Sequence, residues 1–317
     1  MLTWNSRAAD LSCWAVLLLA QGAPGRLGDI PQFLLNVQSG GGLSEYAVQE
    51  IIHRYSRIGG GSPLLRVTTQ QANQLAKAVG LPVYVGMRSW TPYIEDAVRK
   101  LAEDGASRVV AVCLAPQNSR SSIELYRSHL SSAIAKVAPG IHVEFVESWH
   151  DHADLIAAFR EKISAALTDA EAETGDPVPV VFTALGFPER IITEGDPYED
   201  QVRETAQLLA KSIGLREYKL AFQCQGLTSE PWVGPTVESV IDEFAEKGSR
   251  RVLLAPIGFV SDHVGILYDI DVAFREYGQK RGVCVVRPES LNASPLLIRC
   301  LASIVSNRIE IAAGRSS

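Results

Sequence analysis

Short apolar runs rich in β-branched residues alternate along the chain with stretches of helical periodicity. The runs at 15–19, 83–85, 108–114, 143–146, 178–182, 220–223, 251–254 and 283–286 read as strands. Amphipathic helices lie between most of them, so the pattern predicts an α/β protein built on parallel sheets. Ser62-Pro63 and Thr91-Pro92 mark helix starts, where a hydroxyl can cap free amides and proline suits the first turn. Gly80 and Gly105 suit the left-handed stop of a helix. The apolar run at 14–20 is too short to cross a bilayer, and Gln21-Gly22-Ala23-Pro24 after it reads as a turn. A buried first strand is the expectation there.

The pattern also repeats internally. Pro92, Glu95 and Gly105 recur at one constant offset as Pro235, Glu238 and Gly248. Each copy then enters an apolar strand ending in Ala-Pro (Ala115-Pro116, Ala255-Pro256) and reaches a Leu-Tyr pair (Leu125-Tyr126, Leu267-Tyr268). The first strand of each half ends in Ala-x-Gly-x-Pro, at Ala20 to Pro24 and at Ala184 to Pro188. Two copies of one βα architecture follow: an N-terminal lobe over 1–149, a C-terminal lobe over 150–290, and a final helix within 291–317 packing back on the body. In open parallel sheets, ligands bind beyond the carboxyl ends of the strands. That directs attention to Gln21, Leu185, residues 117–122 and residues 258–265, facing one another across a cleft between the lobes.

Length and composition agree with this division. The 317 residues are 46% hydrophobic and 21% charged, which excludes a disordered, collagenous or disulfide-stapled chain and, at about 150 residues per domain, suggests two domains. A net charge of −6 argues against a nucleic-acid or anionic-membrane binder but leaves room for a small basic pocket. Cys13, Cys113, Cys224, Cys284 and Cys300 are odd in number, widely spaced and free of any C-x-x-C pair, so a reducing cytoplasm is expected and a disulfide framework or zinc site is not.

Four candidates for chemistry stand out. Arg54 to Leu64, with Gly59-Gly60-Gly61 at its centre, could receive an anion at a helix N-terminus, although a helix stop plus a cap explains the same residues and no Walker lysine follows. Arg54 and Arg57 stand out as a local carboxylate pocket. In Ser261-Asp262-His263, Asp262 can cap a helix, and His263 can exchange protons near neutral pH or be merely structural. His150-x-His152 suggests a metal pair or a solvated loop.

Taken in order, Arg54-Tyr55-x-x-Ile58-Gly59-Gly60-Gly61-Ser62-Pro63-Leu64, Gly86-Met87-Arg88-x-Trp90-x-Pro92-Tyr93-Ile94, Leu114-Ala115-Pro116-Gln117-x-Ser119, Glu147-Ser148-Trp149, Gly195-Asp196-Pro197-Tyr198 and Gly258-Phe259-Val260-Ser261-Asp262-His263 resemble the ferrochelatase family over nearly the whole chain. The resemblance implies two similar Rossmann-like, chelatase-type lobes and insertion of ferrous iron into coproporphyrin III or protoporphyrin IX in haem synthesis. It implies Fe²⁺ as substrate, no tightly bound cofactor, and other haem-pathway proteins as possible partners. By motif position Arg54, Tyr55, Ser62 and Tyr126 would meet the porphyrin and its carboxylates. Gln21 stands where relatives acting on coproporphyrin often have a tyrosine facing the iron. Relatives also often have an arginine near residues 39–41, absent from Gln38-Ser39-Gly40-Gly41-Gly42. Some relatives carry an iron–sulfur cluster, for which Cys300 alone gives no basis.

The departures fall where metal chemistry is expected. The family histidine is replaced by Leu185, and the family glutamate after Asp-His-x by Gly265. On a helix, positions 265, 269 and 273 share one stripe that is carboxylate-rich in relatives; here it reads Gly265, Asp269, Ala273. Two functions therefore compete. One is a chelatase using His263 as proton acceptor and Asp269 as carboxylate; the other is a non-catalytic relative that binds porphyrin or haem, or partners an active chelatase.

Overall fold

A computed structural model describes residues 11–38, 44–224 and 230–314. Among the described residues, eight strands form two sheets. The first contains β1 (Trp14–Ala20), β2 (Val83–Met87), β3 (Arg108–Cys113) and β4 (His142–Val146), in the order β2-β1-β3-β4. The second contains β5 (Val180–Leu185), β6 (Lys219–Gln223), β7 (Arg251–Pro256) and β8 (Cys284–Val286), in the equivalent order β6-β5-β7-β8. Every pairing is parallel. All seven residues of β1 are buried, as expected of a central strand.

The helices are α1 (Ile30–Gln38), α2 (Glu45–Arg57), α3 (Leu64–Val79), α4 (Ile94–Glu103), α5 (Ile123–Val137), α6 (Ala153–Thr174), α7 (Glu189–Thr193), α8 (Tyr198–Ile213), α9 (Val237–Glu246), α10 (Val264–Leu267), a π-helix at Asp269–Phe274, α11 (Arg275–Gln279) and α12 (Pro295–Ala312). Among the described residues, no helix is long and apolar enough to cross a membrane. Gly80 and Gly105 take the expected left-handed conformation after α3 and α4.

The repeat is visible in the backbone. Met87 N donates to Pro92 O at 2.7 Å, and Phe222 N donates to Pro235 O at 2.8 Å; both prolines follow cis peptide bonds. This corrects the expected start of α4. Pro92 lies outside the helix, occupied with β2, and the backbone N–H of Tyr93 is satisfied by the Asp96 carboxylate at 3.2 Å. Ser62 does serve the start of α3, accepting from Leu64 N at 3.3 Å, with Pro63 at the cap.

The fifth strand is also displaced from its predicted span. Pro177 and Pro179 lack the N–H a ladder needs, so pairing begins at Val180 and runs on to Leu185, which lies opposite Gln223. Leu185 is therefore the last strand residue rather than part of the turn.

Each lobe has a core of its own on one face of its sheet, and the two share a third. One face of the first sheet packs against α4 and α5, and one face of the second against α9 and the π-helix. Between the sheets a single apolar layer joins Val16 and Val110 to Phe182 and Leu253 through α3, α6, α8 and α12. This shared layer holds the carboxyl ends of both sheets in a fixed relation.

Candidate active site in the inter-lobe cleft

A cavity of about 520 Å³ opens between the lobes at those carboxyl ends, lined by Gln21 and Leu185 from the two equivalent strand ends, by Tyr55, Leu114 and Tyr126, and by Phe187, Phe259 and Val264. Its walls are mainly apolar. Gln21, Gln117, Ser122, Ser261 and His263 also line it, and Arg54, Asp269 and Cys224 contact one another in that order.

Two buried networks set the width of the cleft. Asp196, 5% exposed, accepts from Ser119 Oγ at 3.0 Å, Arg120 N at 2.8 Å and Tyr198 N at 3.0 Å, tying the loop after β3 to the start of α8. Gln71 of α3 donates to Ser261 Oγ at 2.9 Å and to Asn292 O at 2.7 Å. Asp262 is enclosed in the second network, accepting from Ser290 Oγ at 2.7 Å and Asn292 Nδ2 at 2.8 Å. It is thus not the expected helix cap. His263 is, its Nδ1 accepting from Gly265 N at 3.0 Å.

That bond bears on the chemistry of His263. Its Nδ1 lone pair is engaged by a backbone amide, so the neutral ring carries its proton on Nε2. Burial disfavours the charged ring and lowers its pKa to about 4, opposed only by the Asp262 charge.

Asp269 is 7% exposed. Burial raises its carboxyl above the usual range, opposed by the Cys224 hydrogen bond and the Arg54 charge. The expected stripe is altered by the π-helix: Ala273 N bonds to Tyr268 O, five residues back, at 2.9 Å. Gly265 and Asp269 face the cavity, whereas Ala273 does not line it.

The basic pocket is already matched by acids. Arg54 Nε donates to Glu50 at 3.0 Å, its Nη1 lies 3.6 Å from Asp269 Oδ1, and the guanidinium sits 5.3 Å from the Tyr268 ring centre. Arg57, which does not line the cavity, pairs with Glu276 of α11 at 2.7 Å. Gln21 is held as well, donating to Ser89 Oγ at 3.1 Å and accepting from Arg88 Nε at 3.1 Å. Arg88 in turn lies 5.6 Å from the ring centre of buried Tyr126.

Other candidates fall elsewhere. Ser62 does not line the cavity. The glycine run is no phosphate cradle: a Cβ on Gly61 would sit 2.1 Å from Gly25 O, so glycine is required where this loop crosses the turn after β1. His150 and His152 diverge. His150 bonds Ser148 Oγ at 2.7 Å and Glu204 at 2.9 Å, while His152 caps α6 and meets Ser303 Oγ at 3.2 Å. His150, Asp151 and Glu204 approach one another, with His150 Nε2 bonded to Glu204 and Nδ1 to Ser148, and His152 is not in that group. The segment at 39–41 lies outside the described residues.

Sequence reasoning passed over Cys224. It follows β6 as Gln21 follows β1, and that position at a strand's carboxyl end was the legible signal. Its Sγ lies 2.7 Å from Asp269 Oδ2.

The architecture defines a chelatase-type fold. The chain resembles SirB from Bacillus subtilis, solved with Fe³⁺, at a TM-score of 0.61 and 14% identity, covering 95% of this chain and 98% of that one. The ferrochelatase family profile matches residues 14–309. A ferrochelatase from Acidobacterium capsulatum is 42% identical, over 93% of this chain and 94% of that protein. A coproporphyrin III ferrochelatase from a Geobacillus species is 34% identical, over 93% and 98%. The chain belongs to the ferrochelatase family, whose reaction is porphyrin metal chelation.

Proposed function

We propose that this protein inserts Fe²⁺ into coproporphyrin III or protoporphyrin IX within the cleft, as a cytoplasmic step of haem synthesis, each lobe (1–149 and 150–290) supplying one wall. The observation that carries this reading is a mostly apolar cavity of about 520 Å³ faced by a buried carboxylate, Asp269, with Arg54 and Cys224 beside it. The volume lies within the roughly 300–1,000 Å³ usual for small-ligand sites. The apolar walls at Tyr55, Tyr126, Leu185 and Phe259 suit a flat macrocycle. Porphyrin propionates reach the mouth, where Arg54 and Arg57 exchange Glu50 and Glu276 for the substrate's carboxylates. Ser62 acts from outside the cavity lining, through the start of α3.

Metalation removes two pyrrole protons. Asp269 is the carboxylate placed to receive one of them and pass it to water: it is buried and cavity-facing, and burial raises its carboxyl above the usual range. His263 acts by position. With Nδ1 occupied by Gly265 N–H, it offers the cavity a neutral N–H donor in place of a proton acceptor.

The test mixes purified protein with coproporphyrin III or protoporphyrin IX and then with Fe²⁺ or Zn²⁺, following the Soret and Q bands. A binding shift followed by metalloporphyrin spectra is expected. A shift without metalation would favour the non-catalytic porphyrin-binding reading, to which Leu185 and the occupied His263 nitrogen lend support, and the absence of any shift would overturn both.

A further inference from the structure

Cys224 and Asp269 are in contact, and both line the cavity together with His263 and with Leu185 and Gly265, which stand in this chain where the family pattern has a histidine and a glutamate. Of the five cysteines, Cys224 alone lines the cavity; Cys113 and Cys300 are buried, and Cys284 is exposed on β8. Its Sγ stands 2.7 Å from Asp269 Oδ2, so the thiol proton lies between a soft and a hard ligand atom. Gln223 positions the pair: its amide accepts from Thr183 Oγ1 at 2.7 Å and donates to Gly265 O at 2.8 Å, fixing the end of β6 against α10. Gly265, having no side chain, lets Cys224 and His263 approach its backbone closely. A Cβ there would lie 3.3 Å from Cys224 Sγ and 2.9 Å from His263 Cε1.

We propose that Cys224 and Asp269 together bind the substrate metal, a borderline divalent transition ion such as Fe²⁺, Co²⁺ or Zn²⁺, before it enters the macrocycle. The proposal rests on the chelatase reading above and supplies what Leu185 and Gly265 cannot. A thiolate beside a carboxylate favours such ions over Mg²⁺ or Ca²⁺. The metal replaces the shared proton, and the ligand atoms separate to about 3.5 Å, as tetrahedral Zn–S and Zn–O lengths require. One proton leaves on binding. When the metal passes to the porphyrin, the freed thiolate takes one pyrrole proton and Asp269 or water takes the other, which restores the thiol and releases two protons per turnover in all. Arg54 Nη1, 3.6 Å from Asp269 Oδ1, is the cation the metal displaces, freeing the guanidinium for the substrate's carboxylates.

The probe is CoCl₂ added anaerobically to the full chain without porphyrin. A thiolate-to-cobalt charge-transfer band at one equivalent, with one proton released per Co²⁺, is expected. Cys224→Ser should abolish the band, Asp269→Asn should weaken Co²⁺ binding about tenfold or more, and Cys284→Ser should leave it intact. A band that survives Cys224→Ser, or no band in wild type, overturns the proposal; circular dichroism of Cys224→Ser establishes that the fold is kept. Porphyrin binding separates the two readings. Co²⁺ bound through Cys224 by a protein that gives no Soret shift would sink the porphyrin reading alone, whereas metalation with an unchanged KM for Fe²⁺ in Cys224→Ser would sink this site alone.

Discussion

Replacing Gly265 by alanine sets two effects of opposite sign against each other. In a helix, alanine is favoured over glycine by about 1 kcal/mol, so local propensity alone predicts stabilisation. The new Cβ, however, would stand 2.9 Å from His263 Cε1, 3.2 Å from its Nδ1 and 3.3 Å from Cys224 Sγ. Relief requires the imidazole to shift, and overpacking of this kind costs about 1–3 kcal/mol. The shift also breaks the bond from Gly265 N to His263 Nδ1, for about 1 kcal/mol more. The sum is a net loss of roughly 1–3 kcal/mol. With an unfolding entropy proportional to chain length, each kcal/mol moves Tm by about 1.5 °C in a protein of this size, so calorimetry should show a fall of about 1.5–5 °C. A rise in Tm, with the His263 NMR signals unmoved, would refute the packing argument. The same clash meets Gly265→Glu, so Leu185→His with Gly265→Glu should lose stability and gain no metalation unless His263 is also replaced.

Three further outcomes are expected. His263 should titrate near 4 by NMR; because its folded pKa lies below the unfolded 6.5, the unfolded chain binds this proton first, and stability should fall by up to about 3 kcal/mol as pH drops from 6.5 to 4. His263→Gln should lose that part of the slope in urea unfolding, and an unchanged slope would contradict it. Asp196→Ala leaves two buried donors and one partly buried donor unpaired and should destabilise the protein by about 2–4 kcal/mol, read in the same denaturation series, with Asp196→Asn intermediate. Glu50→Gln should free Arg54 for substrate carboxylates and tighten coproporphyrin III binding about two- to fivefold, a surface ion pair's worth, whereas Arg54→Met should weaken it; fluorescence quenching measures both.

What the sequence determined was the architecture. Continuous apolar runs separated by helical periodicity specify parallel strands, and the recurring Pro-x-x-Glu and Ala-x-Gly-x-Pro segments specify two equivalent sheets, because these signals are local and survive without knowledge of contacts. They also placed Gln21 and Leu185 at matching strand ends, and both line the cavity. Tertiary structure decided the chemistry. Arg54 and Arg57 read as free cations in the sequence and are held by Glu50, Asp269 and Glu276, partners distant in the chain except Glu50. His263 reads as a base until its Nδ1 is seen to cap α10, and Cys224 reads as an isolated thiol until the π-helix brings Asp269 against it. Periodicity assigns a residue to a face of its own element. Only the packing of one element against another sets which lone pair is occupied, which charge is neutralised and which side chains share a proton.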